Sequence, residues 1–227
     1  MKIGILQTGL VVPELAPEHG QYPDMFERML AGEGFTFDRW SVVEGEFPPG
    51  PEAADGWLIT GSRHGVYEDH AWIPPLEDLI RAIVAADRPL VGVCFGHQVI
   101  AQALGGRVEK YAGGWAVGPR EYDFPDGPKV VQAWHQDQVV EAPEGAQTVA
   151  SNAFCKHAAL VYPGKAYTVQ PHPEFDATFT RGLIEKRGRG VVPDALLEEA
   201  GATVDRKLDS GDIARQFARF FRDRSIA

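Results

Sequence analysis

Short apolar runs alternate with amphipathic segments over the first half of the chain. The runs KIGILQTG, FTFDRWSVV, ADGWLITGS and PLVGVC are rich in β-branched and aromatic residues and predict strands. The segment PDMFERMLAGEG predicts a short helix that is stopped by glycine. Between Pro74 and Asp87, apolar residues recur at i, i+3, i+4, i+7 and i+8, which predicts a second helix with one buried stripe. Alternation of this kind is typical of an α/β fold in which helices cover a sheet.

The pattern of predicted elements changes from about residue 107. Strand-like pieces broken by Gly, Pro and Asp follow one another, which predicts additional antiparallel strands. Near the end of the chain, apolar residues at helical spacing predict a helix docked on the core: Ile213, Phe217, Phe220 and Phe221. The charged, glycine-punctuated stretch 185–212 predicts a mobile connection without a function of its own.

Length and composition limit the class of protein. The chain has 227 residues, of which 44% are hydrophobic and 24% charged, and this is ordinary for a globular protein. We expect a single domain over residues 1–227, with a core at about 2–186 and a helical tail at about 193–227. The net charge of -10, from 22 basic and 32 acidic residues, argues against nucleic acid as a partner, since that would need a basic face.

The N-terminal sequence MKIGILQTGLVVP lacks the long apolar stretch and small-residue cleavage site of a signal peptide. No run approaches the length of about 20 apolar residues that a membrane span requires, so we expect a cytoplasmic protein without a membrane partner. The two cysteines, Cys94 and Cys155, give neither a disulfide framework nor metal-ligand spacing, and no metal is expected.

Cys94 stands out because it lies between a buried strand and a helix. In GVCFGHQ it is flanked by Gly92 and Gly96, which is typical of a nucleophile elbow, where a strained backbone needs small neighbours. A thiol at a helix N-terminus is favoured in its reactive thiolate form. A buried structural cysteine at a strand end is the alternative, and elbow glycines also occur in serine hydrolases.

A thiolate nucleophile needs a histidine base, and that histidine is normally oriented by a carboxylate or an amide. His172, in TVQPHPEF, ends a predicted strand, and Glu174 follows two residues later, on the same side of an extended chain. The flanking Pro171 and Pro173 favour that extended conformation.

Taken together, GVCFGHQ, the downstream PHPE and a Gly-Ser turn after the third strand resemble the class I, or triad-type, glutamine amidotransferase family. The family pattern GxCxGxQ followed by HPE is matched at seven positions: Gly92, Cys94, Gly96, Gln98, His172, Pro173 and Glu174. The resemblance extends from Lys2 to about Phe179. It implies a three-layer, flavodoxin-like open sheet with mostly parallel central strands, helices on both faces and extra antiparallel strands.

The resemblance also implies roles for the matched residues. Cys94 would attack the side-chain amide of glutamine, release ammonia and form a γ-glutamyl thioester that water hydrolyses. His172 would act as general base and then as acid, and Glu174 would orient it. The oxyanion hole would use the amide of Phe95 and a second donor at Gly61 or Ser62, in LITGSRHGVYED.

Substrate-binding residues are expected in two places. Gln98 lies one helical turn after the nucleophile and is placed to contact glutamine. In AWHQDQVVE, the pattern HQDQV resembles a family segment beside the glutamine pocket, so His135, Gln136 and Asp137 are candidates, although His135 also fits a structural role. No cofactor is expected, since no phosphate-binding loop GxxxxGK[ST] occurs.

Three functions remain open from the sequence. The first is a glutaminase that passes ammonia or the γ-glutamyl group to an acceptor, with a synthetase or acceptor protein as partner, as in stand-alone proteins that resemble the glutaminase domain of GMP synthetase. The second is a γ-glutamyl peptidase that uses the same residues on another γ-glutamyl amide. The third is a non-enzymatic protein with a fossil site, which the complete Cys94, His172 and Glu174 set disfavours. Arg63 and His64 are expected to border the opening on the leaving-group side of the pocket and to tune the substrate preference.

Overall fold

The structure is a computed structural model that describes residues 1–226. Its strands are β1 (Lys2–Leu6), β2 (Thr36–Trp40), β3 (Gly56–Ile59), β4 (Leu90–Val93), β5 (Arg107–Lys110), β6 (Ala116–Phe124), β7 (Gly127–His135), β8 (Asp137–Glu141), β9 (Gln147–Ala150), β10 (Ala159–Tyr162) and β11 (Ala166–Val169). Its helices are α1 (Ala16–His19), α2 (Tyr22–Met29), α3 (Ile73–Ala85), α4 (Phe95–Ala103), α5 (Ala177–Leu183), α6 (Asp194–Thr203) and α7 (Ser210–Asp223). A π-helical turn, Ile184–Gly188, follows α5, and short 3-10 turns lie at Val42–Glu44 and Pro51–Ala53.

The central sheet has the strand order β2-β1-β3-β4-β11-β10-β9 within the described residues. The strands from β2 to β11 pair in parallel, and β10 and β9 complete the sheet with antiparallel pairs. This is the predicted mixed, mostly parallel sheet. Every residue of β4 is buried, as its apolar sequence predicts for a strand covered on both faces.

Helices cover both faces of the sheet and make three layers. On one face, α2 and α7 pack through aromatic side chains that include Phe26, Phe217 and Phe220. On the other face, α3 and α4 pack through a second cluster that includes Leu76 and Val99. The predicted stripe of α7 is confirmed, because all four of its apolar residues are 1% exposed or less.

Two antiparallel pairs lie outside the central sheet, β5 with β8 and β6 with β7. The β6–β7 hairpin has a direct bearing on the site, since Gln132 of β7 forms an isolated bridge with His172. These pairs are the antiparallel additions that the second half of the sequence predicts.

The stretch 185–212, predicted as a mobile connection that overlaps the helical tail expected from about residue 193, is packed on the protein. The segment contains the π-helical turn and α6, in which Leu197 and Ala200 are buried. Ala200 lies against Gly118 of β6, where a Cβ on the glycine would come within 2.8 Å of the alanine Cβ. The charged residues dominate the composition of this stretch, and they conceal the few apolar positions that hold it to the protein.

The carboxyl ends of adjacent parallel strands meet at one edge of the sheet. There β3 leads to Gly61, β4 to Cys94 and β11 to His172, and this edge is where α/β sheets bind ligands. No helix in residues 1–226 is long and apolar enough to cross a membrane.

Candidate active site

Cys94 occupies a sharp turn between β4 and α4. Its backbone has φ 52° and ψ -104°, a positive-φ conformation that is costly for a residue with a side chain. The Cys94 amide donates to the Val169 carbonyl at 2.9 Å, which ties the turn to β11. The predicted elbow is therefore present, and the thiol lies at the N-terminus of α4.

The two elbow glycines are explained by close backbone approach. A Cβ on Gly96 would overlap the carbonyl oxygen of Ile59 in the neighbouring strand, and a Cβ on Gly92 would lie 2.6 Å from the carbonyl oxygen of Gly96. Side chains at either position would push α4 away from the sheet. The strained nucleophile and its glycine neighbours thus form one packed unit.

His172 and Glu174 form a buried pair beside the thiol. His172 Nδ1 lies 2.7 Å from Glu174 Oε1, and the Glu174 side chain is fully enclosed. The backbone amide of His172 donates to the Gln132 carbonyl at 2.7 Å, and its ring stacks on Phe175 with centroids 4.0 Å apart. Backbone, ring face and Nδ1 are all held, so the imidazole has a fixed orientation.

The electrostatics of this pair favour a charged imidazole. Burial lowers the pKa of His172, but the Glu174 carboxylate and the hydrogen-bonded Cys94 outweigh burial and raise it to about 10. His172 is then protonated at neutral pH and faces Cys94 as an imidazolium.

The loop after β3 lies directly against this pair. A Cβ on Gly61 would lie 2.8 Å from His172 Cε1 and 3.7 Å from Cys94 Cβ. The hydroxyls of Thr8 and Thr60 both lie 3.1 Å from the Gly61 carbonyl oxygen, which fixes the direction of that peptide. Phe95 is the first residue of α4, and N–H groups in the first turn of a helix have no partner within it.

The predicted substrate residues surround a cleft of about 160 Å³ next to Cys94. The structure brings together six of the predicted site residues in the lining of this cleft: Ser62, Cys94, Gln98, His135, Gln136 and Asp137. The remaining four lie beside or behind the nucleophile: Gly61, Phe95, His172 and Glu174.

Hydrogen bonds within the protein already engage several of these side chains. Gln98 Nε2 donates to the Asp137 carbonyl at 2.9 Å and to Gln170 Oε1 at 3.0 Å, so Gln98 holds the Asp137 segment in place. Gln136 Nε2 donates to the Tyr111 carbonyl at 3.3 Å. The contact of Gln98 with substrate stays a prediction, and its positioning role is a finding.

His135 is a buried neutral residue in this wall. Burial and repulsion from His172 lower its pKa to about 3, and Nδ1 lies 3.3 Å from the Asp137 carbonyl. Its Nε2 is buried without a hydrogen-bond partner among the described residues. These features fit the structural role that the sequence left open, with one nitrogen remaining for a bound molecule.

Asp137 presents a carboxylate to the cleft. Its Oδ2 accepts a hydrogen bond from the Tyr67 hydroxyl at 3.0 Å. Burial raises the pKa of Asp137, and the bond from Tyr67 partly opposes that rise. The carboxylate is thus suited to a cationic group, such as the α-amino group of an amino acid.

The sequence missed part of the lining. Tyr67 lies in the segment LITGSRHGVYED but was not singled out, Lys110 lies in no motif, and Arg187 lies in the stretch to which no function was assigned. Arg187 reaches the cleft from the π-helical turn, and such a turn is often found at functional sites. No sequence pattern predicts that Arg187 lines the cleft, because its position depends on how the C-terminal segment folds back.

The cleft next to Cys94 is called the near cleft. A second, larger cleft of about 570 Å³ adjoins it. Its walls come mainly from residues 9–13, with Ala16, Pro17, Gln21 and Val43. Arg63, His64 and Arg187 line both clefts and so form the boundary between them, which is called the passage.

Comparison with known proteins agrees with this geometry. Residues 47–187 match the family described as glutamine amidotransferase class-I. Gamma-glutamyl peptidase 4 from Arabidopsis thaliana is 30% identical over 206 residues, which cover 83% of this chain and 82% of that protein. The chain therefore belongs to the class I glutamine amidotransferase family, and it is a cysteine-dependent enzyme of that type.

Two further similarities bear on fold and function. A component of the glutamine-hydrolyzing GMP synthase from Halobacterium salinarum is 32% identical over 169 residues, covering 69% of this chain and 85% of that protein. The crystal structure of a glutamine amido transferase from Methylobacillus flagellatus superimposes with a TM-score of 0.77 at 22% identity, covering 97% of this chain and 92% of that one. The second similarity confirms the predicted flavodoxin-like fold.

Proposed function

We propose that this enzyme hydrolyses the side-chain amide of a γ-glutamyl compound through a thioester on Cys94. The observation that carries the proposal is the strained Cys94 elbow beside the buried His172–Glu174 pair. Together these residues would form a catalytic triad. Glutamine is the first substrate to consider, and glutamate and ammonia are then the products.

The steps follow from the positions of the groups. The Cys94 thiolate attacks the amide carbon, and the oxyanion is stabilised by the Phe95 N–H and a donor at Gly61 or Ser62. His172 then gives its proton to the nitrogen, the C–N bond breaks and ammonia leaves. Because Glu174 engages Nδ1, Nε2 is the nitrogen that performs this transfer.

Hydrolysis of the thioester reverses the proton flow. Water enters from the cleft and loses a proton to His172 Nε2 as it attacks the thioester carbon. The C–S bond breaks, and the Cys94 thiolate and the protonated His172 are restored. No group outside the chain and water is required to balance these steps.

Recognition of the γ-glutamyl group is assigned to the near cleft. The Asp137 carboxylate, held by Tyr67, binds the α-amino group, and Gln98 keeps the Asp137 backbone in place. Lys110 provides a positive charge in the same lining for the α-carboxylate. His135 and Gln136 close the wall.

A specific observation favours a second candidate, in which the leaving group is larger than ammonia. The adjoining cleft of about 570 Å³ gives room for the amine part of a γ-glutamyl peptide, and Arg63 and Arg187 at the passage suit its carboxylate. The named relatives include a γ-glutamyl peptidase, which supports this reading. The resemblance to a component of a GMP synthase supports instead a glutaminase that works with a synthetase or another acceptor protein.

The organisation of the chain is part of the proposal. We infer one domain over 1–227, with its catalytic core at about 2–186 and the tail at 193–227 closing one face of the sheet through α7. A cytoplasmic, reducing setting would keep Cys94 as a free thiol.

Glutamate release by the purified chain tests the function. Glutamine and a γ-glutamyl dipeptide are offered in parallel at millimolar concentration, with Cys94→Ala as the blank and Cys155→Ala as the thiol control. Hydrolysis that depends on Cys94 and favours the dipeptide identifies a peptidase, and hydrolysis that favours glutamine identifies a glutaminase. Turnover that survives in Cys94→Ala contradicts the proposal, as does the absence of both turnover and a γ-glutamyl adduct on Cys94 by mass spectrometry.

A further inference from the structure

Two histidines and a glutamate converge on the rim of the near cleft. His64 Nδ1 lies 3.3 Å from Glu68 Oε2, and His70 Nε2 lies 2.7 Å from the same oxygen. The two imidazole rings are in edge contact, with centroids 4.2 Å apart. Both rings thus point nitrogen atoms at one carboxylate oxygen, and the proposed reaction assigns no role to these three residues.

The spacing of these atoms suits a small metal ion. One nitrogen from each histidine and one carboxylate oxygen all lie within 4.8 Å of one another. Around a tetrahedral Zn²⁺, with ligand distances of about 2.0–2.1 Å, neighbouring ligand atoms are about 3.3 Å apart. The ligand atoms therefore need to move only modestly to surround an ion, and two imidazoles with one carboxylate are a common zinc ligand set.

The loop backbone and the aromatic residues behind it hold the cluster in this arrangement. The Glu68 amide donates to the Gly65 carbonyl at 3.1 Å, and the His64 amide donates to Ser62 Oγ at 3.2 Å. Trp72 lies nearly parallel to the His70 ring, with centroids 5.9 Å apart. The ligands are consequently fixed by contacts other than the metal, which lowers the ordering cost of binding one.

We propose that His64, Glu68 and His70 form a three-ligand site for a divalent transition metal of the Zn²⁺ type at the mouth of the cleft. The fourth coordination position is left for water or for a group of a molecule in the cleft, since His64 and Glu68 line that cleft together with Cys94. Sequence spacing predicted no metal, because the cluster depends on a turn that brings positions 64, 68 and 70 together.

The position of the site gives the metal a consequence for catalysis. An ion held there ties Glu68 and His70 to His64, which lies two residues after Ser62 and in the passage between the two clefts. Trp72 continues the contact from His70 to Phe95, with ring centroids 5.4 Å apart for Trp72 and Phe95. Metal binding therefore restricts the passage and inhibits hydrolysis of a γ-glutamyl dipeptide, whose amine component would extend into the larger cleft. Inhibition by the metal depends on the proposed function, whereas metal binding does not.

Calorimetric titration of the untagged chain with ZnCl₂ tests the site itself. The Cys94→Ser background removes the thiolate of the elbow as a competing ligand, and Asp69→Asn, an exposed neighbour outside the cluster, is the matched control. We expect one equivalent of Zn²⁺ to bind, and a loss of affinity of about 100-fold or more in His70→Gln and in Glu68→Gln, since even an outer-shell partner is worth about 10- to 100-fold. Equal affinity in the control and the ligand variants, or no binding at micromolar Zn²⁺, overturns the proposal.

Inhibition is measured separately in the chain that retains Cys94, with a γ-glutamyl dipeptide as the substrate. The Zn²⁺ concentration for half-inhibition should rise at least tenfold in His70→Gln and stay unchanged in Asp69→Asn. If inhibition is the same in all three proteins, Zn²⁺ acts on Cys94 directly and the regulatory role is wrong. If the chain proves inactive on γ-glutamyl compounds, the calorimetric result still decides whether the metal site exists.

Discussion

His172 Nδ1 lies 2.7 Å from Oε1 of Glu174, a side chain that has no solvent exposure. The second carboxylate oxygen, Oε2, is buried without a hydrogen-bond partner among residues 1–226. A buried carboxylate is costly unless a positive charge compensates it, so the pair is most stable when His172 is protonated. Glu174 therefore does more than orient the ring, because its negative charge also keeps His172 protonated.

Replacement of Glu174 by glutamine should move the pH profile. The negative charge of Glu174 raises the pKa of His172 to about 10, so its removal lowers that pKa. A rate that needs the imidazolium falls as pH rises through the pKa, and the alkaline limb of kcat/KM should shift to lower pH in Glu174→Gln. The measurement is kcat/KM on glutamine or the dipeptide from pH 6 to pH 10. An alkaline limb that stays in place would show that His172 does not donate the proton.

Substitution of Gly96 should separate the packing of the elbow from its chemistry. In Gly96→Ala the new Cβ overlaps the Ile59 carbonyl, and overpacking of this kind costs about 1–3 kcal/mol. We expect a lower free energy of unfolding. We also expect kcat to fall by a larger factor than KM changes, because the shift of α4 displaces both Cys94 and Phe95.

Gly201→Ala is the matched control for that experiment. Gly201 lies in α6, and a Cβ there meets no atom within 4 Å. Alanine should stabilise the helix by about 0.5–1 kcal/mol and leave kcat unchanged. Urea unfolding of both variants beside the parent chain gives the two free energies. Equal stability of Gly96→Ala and the parent would refute the account of the elbow.

The sequence predicts those parts of the fold and site that rest on local patterns. The apolar run before Cys94, the glycines around it and the two-residue step from His172 to Glu174 are all local, and the structure contains each of them. The stripe of α7 is likewise predictable, because helical periodicity needs no knowledge of the partner surface.

The remaining features depend on contacts between distant segments. Arg187 reaches the cleft through a π-helical turn that only the folded C-terminal segment produces, and Tyr67 contacts Asp137 across 70 residues of sequence. The bounds of helix α6 were not predicted within the tail expected at about 193–227, since its buried side chains, such as Leu197, are few among charged neighbours. Composition describes the exposed face of such a helix better than the narrow stripe that packs.

The bond between Tyr67 and Asp137 predicts a change in substrate affinity. Burial raises the pKa of Asp137 and the Tyr67 hydroxyl opposes this, so Tyr67→Phe should raise the pKa further. Because the carboxylate form binds the substrate α-amino group, KM should rise in Tyr67→Phe, and most strongly at acidic pH.

Asp137→Asn should raise KM by about 10- to 100-fold, as expected for loss of a bond to a charged group worth about 1.5–3 kcal/mol. Steady-state kinetics between pH 5 and pH 8 gives both values, and an unchanged KM in Asp137→Asn would remove Asp137 from the substrate site.

The arginines at the passage should control the choice of leaving group. Arg63 and Arg187 line both clefts, so an anionic amine component that extends into the larger cleft meets their guanidinium groups, whereas ammonia does not. Arg63→Ala and Arg187→Ala should therefore lower kcat/KM for a γ-glutamyl dipeptide by about tenfold, which corresponds to about 1.4 kcal/mol, and leave kcat/KM for glutamine nearly unchanged. Arg215→Ala is the matched control, because Arg215 is an exposed residue of α7 whose ion pair is with Asp212. The ratio of the two kcat/KM values is the measured quantity. An unchanged ratio in both passage variants would mean that the larger cleft does not receive the leaving group, and the enzyme would then be a glutaminase.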